Sequence, residues 1–416
     1  MSTGLVCFAA AALGLFLRAP DTLLNPQLIA EDASILFVDQ LGHALPLLLV
    51  PYQGYLVMLG RSVAWIASPF AAVHIALVYN LAWLLLAAGS IAYFCVRARA
   101  LFHPCASLTA LLLLPLLGGE LFGMVANVQW FGQLVVIAAC LLPRNSATPH
   151  STAWRAAQLA LLAIFALNGP FAVLCAFIYF GLIFAQWVAA RLRMTRVHDA
   201  LSTYVDSLDE PSLAVVMAAG LIQMLVVASQ GAIPAQHQAH LLVDFVQAAG
   251  GEGVQVHLLG SMFVGRTAFD WWQAGLLAAV LLWRLPASVR IGCLVLLGYG
   301  WLCLLGGYLK MKAVDMQPGD INYIDRYVFA LVVFEWLILW RLLSAVPIVG
   351  ELRGTLVLAG ILAAIGFDNP VRIFRPPPRD LDWPAYARKI DAGEAVDVPI
   401  NPVPWHFHVA ARQKNR

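Results

Sequence analysis

Two adjacent carboxylates, Glu31 and Asp32, lie between apolar residues shortly after the first apolar run of the sequence. Such a pair beside a membrane surface suits the removal of a proton from an acceptor hydroxyl group. It also suits the coordination of a hard divalent cation such as Mg²⁺ or Mn²⁺. Helix capping by either side chain is the structural alternative. We treat Glu31 and Asp32 as candidate catalytic residues.

A cationic group lies late in the chain. Lys310 and Lys312 precede Arg326 and Tyr327, which open a long apolar run. Arginine can donate two parallel hydrogen bonds to phosphate oxygens, and lysine adds a point charge. This group therefore predicts a site for the phosphate of a lipid carrier. Ion pairing is the alternative, and the nearby carboxylates that would serve it are Asp315, Asp320 and Asp325.

Arg61 lies in a largely apolar segment, residues 44–68. An arginine in such a segment must meet an anion, a carbonyl group or water. A lipid phosphate would satisfy it, and so would snorkelling of the side chain to the membrane surface. The sequence leaves both interpretations of Arg61 open.

Further polar residues near the ends of apolar runs are candidate contacts for a sugar or an acceptor, since their side chains can hydrogen-bond hydroxyl groups. They are Tyr52, Tyr55, Glu120, Asn127, Gln129 and His257. His237 and His240 have the spacing of one helix face, but no third ligand follows at a diagnostic spacing. The sequence therefore assigns no metal site.

The composition of the chain indicates which kind of structural element positions these residues. Of 416 residues, 61% are hydrophobic and 12% are charged, with a mean hydropathy of +0.80. Soluble domains carry about 25% charged residues, so a water-soluble protein is excluded. The net charge of +2 and the absence of a basic block argue against a nucleic-acid partner. We predict an all-α, polytopic bundle of about eleven transmembrane helices.

The predicted spans are apolar runs separated by short polar breaks. They cover residues 4–17, 71–95, 106–122, 125–142, 154–168, 171–190, 211–229, 271–283, 289–309, 327–345 and 354–367. Placing the arginine-rich breaks in the cytoplasm satisfies the positive-inside rule and puts the N-terminus inside and the C-terminus outside. For a bacterial inner membrane, which the Arg- and Ala-rich composition favours, outside is the periplasm.

The predicted organisation is a transmembrane domain over residues 1–367 and a short periplasmic tail over 368–416, with an amphipathic stretch at 383–390. Residues 18–70 form the first outside loop, with interfacial helices. The topology assumes that segment 44–68 lies in the interface. If this segment crossed the bilayer, residues 19–43 would face the cytoplasm instead.

Five short motifs, read together, resemble the GT-C superfamily of membrane glycosyltransferases, and more closely its uncharacterised bacterial members. They are Glu31-Asp32, Tyr52 to Tyr55 with Arg61, Asn127 to Trp130, Arg326-Tyr327, and Val398 to Pro402 with Trp405. The resemblance implies transfer of a sugar from a polyprenyl-phosphate donor to an acceptor at the outer face. It implies that Asp32 or Glu31 activates the acceptor, and that Arg326, Lys310 and Lys312 hold the leaving phosphate.

Two other functions stay open. A transporter or flippase of lipid-linked saccharides would place ionisable groups and broken helices within the membrane, for which Glu335 and Asn168 to Pro170 are the candidates. A non-catalytic membrane subunit of a polysaccharide assembly complex would need no catalytic residues at all.

Overall fold

The computed structural model describes residues 2–113, 121–144, 151–230, 275–281, 285–310, 325–368 and 374–411. These residues are mostly helical. The main helices are α1 (Thr3–Arg18), α2 (Asp21–Leu24), a π-helix (Asp32–Phe37) continued by α3 (Val38–Gln40), α4 (Met58–Ala67), α5 (Ala72–Arg97), α6 (Pro104–Leu113), α7 (Gln129–Cys140), α8 (Thr152–Ala166), α9 (Phe171–Arg191), α10 (Thr195–Asp206), α11 (Glu210–Ser229), α12 (Ala287–Lys310), α13 (Asp325–Ser344), α14 (Gly350–Asp368) and α15 (Trp383–Asp391). Two short strands, β1 (Val396–Pro399) and β2 (His406–Val409), pair antiparallel in the tail.

Four helices in the described part of the chain are long and apolar enough to cross a membrane. They cover Ala72–Ala100, Phe171–Arg191, Glu210–Ser229 and Ala287–Gly307. The prediction of an all-α protein with membrane-spanning helices is confirmed to this extent. Other predicted spans coincide with shorter or less uniformly apolar helices, and residues 275–281 of the predicted span 271–283 are helical.

The helices pack side by side. Helix α1 lies along α5, α5 packs on α7, α9 packs on α11, and α12 packs on α13. Small residues permit close approach: a Cβ atom at Gly300 would come 2.7 Å from the Leu331 backbone, so α12 and α13 are in near contact there. Close packing through small residues is typical of membrane helices, because the hydrophobic effect does not drive helices together within lipid.

The bundle has two ends of different character. At one end, which we call the site end, residues 19–57, the turn at 121–128, the start of α9, the start of α13 and the tail come together. At the other end Arg97 donates to the carbonyl groups of Leu142 and Pro143, and the Arg144 amide donates to Ser207. Helix α10, which the sequence did not predict, lies here, with the Tyr204 hydroxyl donating to Leu141.

Segment 44–68 does not form a spanning helix. Its only regular element is α4, whose ten residues rise about 15 Å, half the thickness of a hydrocarbon core. The amphipathic stretch predicted at 383–390 is confirmed as α15, which buries Trp383, Ala387 and Ile390.

Candidate functional site

A cavity of about 240 Å³ opens at the site end of the bundle. It brings together candidate residues that are distant in sequence, drawn from the first loop, the turn before α7 and the start of α13. Seven of the predicted site residues line it: Glu31, Tyr52, Tyr55, Asn127, Gln129, Arg326 and Tyr327. A carboxylate and a guanidinium group therefore share one cavity, in company with phenol and amide groups.

Glu31 is the acid that faces this cavity. Its side chain is half-buried, makes no hydrogen bond to the first turn of the following π-helix, and accepts at 3.4 Å from the Tyr52 hydroxyl. Helix capping, the alternative interpretation of this residue, is thus not what its side chain does. Glu31 presents a carboxylate to whatever occupies the cavity.

Asp32 does not line the cavity and is 1% exposed. Its two oxygens accept hydrogen bonds from the backbone amides of Val125 and Ala126, each at 2.7 Å. Burial raises the pKa of this carboxyl group to about 7, against the lowering effect of the two amide donors. Asp32 ties the first loop to the turn that carries Asn127, so its contacts are those of a positioning residue.

The backbone before Glu31 is held by the C-terminal tail. Ala30 has a left-handed φ of +44°, and its amide donates to the Asn401 carbonyl at 2.8 Å. The Asn401 side chain, in turn, donates to the Arg379 carbonyl at 2.8 Å. A left-handed alanine is unfavourable by about 1 kcal/mol or more and persists only where surrounding contacts enforce it. The tail therefore helps to set the direction of Glu31.

The aromatic wall is a tight turn from Tyr52 to Tyr55. Their backbones exchange two hydrogen bonds, of 2.9 and 3.2 Å, across Gln53 and Gly54, both at positive φ. The next residue, Leu56, is fixed by the buried side chain of Gln223, which bonds both its amide and its carbonyl group. Burial raises the pKa of Tyr55, so this phenol stays protonated at neutral pH.

The cationic wall is the start of α13. Arg326 is half-buried, with its guanidinium carbon 5.3 Å from the centre of the Tyr327 ring, and Tyr327 packs edge-on against Trp130 at 5.1 Å. The N-termini of α7, α9 and α13 also lie at this end of the bundle. Because helix N-termini carry partial positive charge, they add to Arg326 in favouring an anion here.

Two buried polar atoms of the lining stand out. Gln129 and Trp130 are 7% and 6% exposed. Among the residues that the structure describes, none donates to Gln129 Oε1 and none accepts from Trp130 Nε1. Such atoms are uncommon in protein interiors, where nearly all buried polar groups are hydrogen-bonded.

Other candidates lie elsewhere or outside the described residues. Arg61 does not line the cavity. It is 1% exposed and its Nη1 pairs with Asp39 at 2.8 Å. Glu120, His257 and Lys312 are outside the described residues. Lys310 ends α12, but its side chain is also outside them.

The described residues contain no group of three or more His, Cys, Asp or Glu side chains that could hold a metal ion. The cavity itself contributes one such residue, Glu31. The histidines and aspartates of the two later outside loops, His237, His240, Asp244, Asp315 and Asp320, lie outside the described residues.

Sequence reasoning missed the contribution of the tail. Arg375 is held between the Asp21 carboxylate and the Phe122 carbonyl, and Asp391 accepts from the Ala72 amide at 2.7 Å, capping α5. Trp383 and Phe407 pack edge-on against Phe37 of the π-helix. These contacts join residues more than 250 positions apart, and the local signals were the amphipathic stretch at 383–390 and the motif around Asn401.

The chain matches no protein-family model, no curated protein and no solved structure.

Proposed function

We propose that this protein is a membrane glycosyltransferase of the GT-C type, moving a sugar from a polyprenyl-phosphate donor to an acceptor hydroxyl group. The observation that carries the proposal is the cavity lined by both Glu31 and Arg326. One substrate can therefore touch a carboxylate at one atom and a guanidinium at another. Glycosyl transfer needs this pair, because a proton must leave the acceptor while negative charge develops on the departing phosphate.

The proposed step is a direct displacement. The Glu31 carboxylate takes the proton of the acceptor hydroxyl, and the acceptor oxygen attacks the anomeric carbon of the sugar. The bond between that carbon and the phosphate oxygen breaks, and its electron pair leaves with the phosphate. Arg326 and the helix N-termini stabilise the departing charge. Asp32, whose oxygens are taken up by two backbone amides, positions Glu31 and does not accept the proton.

The proposed setting is a bacterial inner membrane, with about eleven spans, the site end in the periplasm and the N-terminus in the cytoplasm. Support comes from the distribution of charge. Arg97, Arg191 and Arg341 each lie in the last turn of a long helix, at the end opposite to the cavity. This is the arrangement that the positive-inside rule favours.

The test is a transfer assay on the purified protein in lipid nanodiscs. The donors are short-chain prenyl phosphates carrying single sugars, native membranes supply the acceptor, and released prenyl phosphate is measured by mass spectrometry. Glu31→Gln should lower the rate by about 10²-fold or more, the range for loss of a general base. Glu394→Gln, the same change at an exposed position of the tail, is the matched control. Wild-type activity in Glu31→Gln would refute the assignment.

One observation favours transport as a second candidate. Glu335 is 3% exposed and lies in the middle of α13, and ionisable residues within membrane helices often line the pathway of a transported substrate or proton. A transporter would move the lipid-linked sugar across the membrane without releasing prenyl phosphate. The same assay separates the two, since only a transferase forms that product.

A further inference from the structure

Three exposed arginines lie together where α9 is joined to α10, at the end of the bundle opposite to the cavity. Residues 191–197 are exposed without interruption, and they include Arg191, Arg193 and Arg196. None of the three forms an ion pair with a residue that the structure describes. Three positive charges within six residues, none of them neutralised in this way, favour an anionic partner.

Exposed apolar side chains alternate with these arginines. Leu192, Met194 and Val197 are all exposed. The apolar surface continues along α9 through Phe184 and Trp187, whose exposed rings stack at 5.9 Å. The partner must therefore offer an apolar phase directly beside its negative charge.

The length of α9 places this surface relative to a membrane. Helix α9 is long and apolar enough to cross one, and its 21 residues rise about 31 Å, close to the thickness of a hydrocarbon core. Because α9 begins at the site end, we expect its last residue, Arg191, at the opposite membrane surface. The Arg191 guanidinium lies 5.4 Å from the centre of the Trp187 ring. Tryptophan and arginine are both typical of the layer where acyl chains meet head groups.

Two of the arginines occupy positions that are locally unfavourable for an arginine. Arg193 has a left-handed φ of +54°, and the next amide, that of Met194, donates to the Ala189 carbonyl at 2.8 Å. This is the Schellman ending of a helix, in which glycine is the usual left-handed residue. Arg196 lies in the first turn of α10, where the helix dipole disfavours a cation. An anion bound by these side chains would offset both effects.

We propose that Arg191, Arg193 and Arg196 bind the phosphate of an anionic phospholipid, with the apolar residues between them in contact with its acyl chains. A soluble acidic protein or a free phosphate offers the charge without an apolar phase, whereas a lipid leaflet offers both. Helix α10 is fixed to the bundle by the Tyr204 hydroxyl, which donates to the Leu141 carbonyl at 2.8 Å, so the arginines are presented on a rigid element. The proposal does not depend on the glycosyltransferase assignment, because it concerns the other end of the molecule.

The experiment is native mass spectrometry of the delipidated full-length protein in a neutral detergent, titrated with phosphatidylglycerol and with phosphatidylcholine. Each arginine near a membrane surface strengthens anionic-lipid binding about five-fold, so the wild type should bind phosphatidylglycerol at least about 10-fold more tightly than phosphatidylcholine. Arg193→Gly should lower the affinity for phosphatidylglycerol about five-fold, and it suits the left-handed backbone, so misfolding cannot explain the loss. The triple variant Arg191→Gln/Arg193→Gly/Arg196→Gln should lower this affinity by about 30-fold or more and leave phosphatidylcholine binding unchanged.

Arg99→Gln is the matched control, since it removes an exposed arginine of the short helix that follows α5. It should keep the wild-type preference. The proposal is overturned if the wild type binds both lipids equally, if the triple variant keeps the preference, or if Arg99→Gln lowers it as much as Arg193→Gly does. Glycerophosphoglycerol, the same head group without acyl chains, should bind about 10-fold or more weakly than the lipid. Equal binding of this soluble anion would also overturn the proposal.

Discussion

Arg61 provides a prediction in which the structural and functional interpretations have opposite outcomes. Its guanidinium is 1% exposed and pairs with the Asp39 carboxylate at 2.8 Å, while its Nε finds no acceptor among the described residues. If the pair is structural, removing Asp39 leaves a buried, uncompensated charge. If Arg61 binds a lipid phosphate, removing Asp39 frees the guanidinium for that phosphate and should not destabilise the protein.

The magnitude follows from burial. Breaking a buried ion pair from one side costs about 3–5 kcal/mol. Asp39 is 39% exposed, so water screens part of the interaction, and we expect about 2–4 kcal/mol for Asp39→Ala. At about 2 cal/mol/K of unfolding entropy per residue, this corresponds to a fall of about 2–5 °C in the unfolding temperature for a chain of this length. Arg61→Met, which replaces the charge by an apolar side chain, should cost less than Asp39→Ala.

The assay is thermal unfolding of the purified variants in one detergent, completed by the double variant Arg61→Met/Asp39→Ala. The double variant should be more stable than Asp39→Ala alone, because the unpaired charge is gone. Asp199→Ala removes a carboxylate of a 78% exposed side chain and should leave stability unchanged. The structural interpretation is refuted if Asp39→Ala is as stable as the wild type and Arg61→Met loses binding of the prenyl phosphate.

Three further predictions follow from the cavity and its supports. Arg326→Gln should weaken binding of the prenyl-phosphate sugar by about 10–100-fold, the loss of one charge-assisted hydrogen bond, with the exposed Arg353→Gln as control in the same titration. Because burial raises the pKa of Asp32 from its ordinary value near 4 to about 7, the folded protein binds this proton more tightly than the unfolded chain. The resulting stability is complete below about pH 4 and is lost as the pH rises through 7, and a pH series of unfolding temperatures should show this slope in the wild type and lack it in Asp32→Asn. Asn401→Ala removes the hydrogen bond to the Arg379 carbonyl and should destabilise the packing of the tail by about 1 kcal/mol. The expected result is faster proteolysis after residue 374, with cleavage at the ends of the other helices unchanged.

Much of the architecture could be predicted because hydropathy is a local signal. Continuous apolar runs gave helix positions within a few residues for α1, α5, α9 and α11. The distribution of arginines predicted which helix ends lie together, and so placed Glu31 and Arg326 at the same end. That they line one cavity is a structural finding, and their roles in catalysis stay predictions.

What could not be predicted depends on contacts between distant residues. Nothing local distinguishes Glu31 from Asp32. The difference arises because the amides of Val125 and Ala126, more than 90 residues away, take both oxygens of Asp32. The ion pair of Arg61 could not be predicted either, because nothing in the sequence distinguishes Asp39 from other polar residues of the first loop. The role of the tail in holding Ala30 required a bridge between opposite ends of the chain.

A cryo-EM map of the protein in a nanodisc with a short-chain prenyl-phosphate sugar would show whether one substrate contacts both Glu31 and Arg326. We predict density for the phosphate against Arg326 and for the sugar ring beside Glu31, Gln129 and Trp130, with the Glu31 carboxylate on the side open to an acceptor. A phosphate bound at another place, or a sugar ring outside the cavity, would contradict the proposed function.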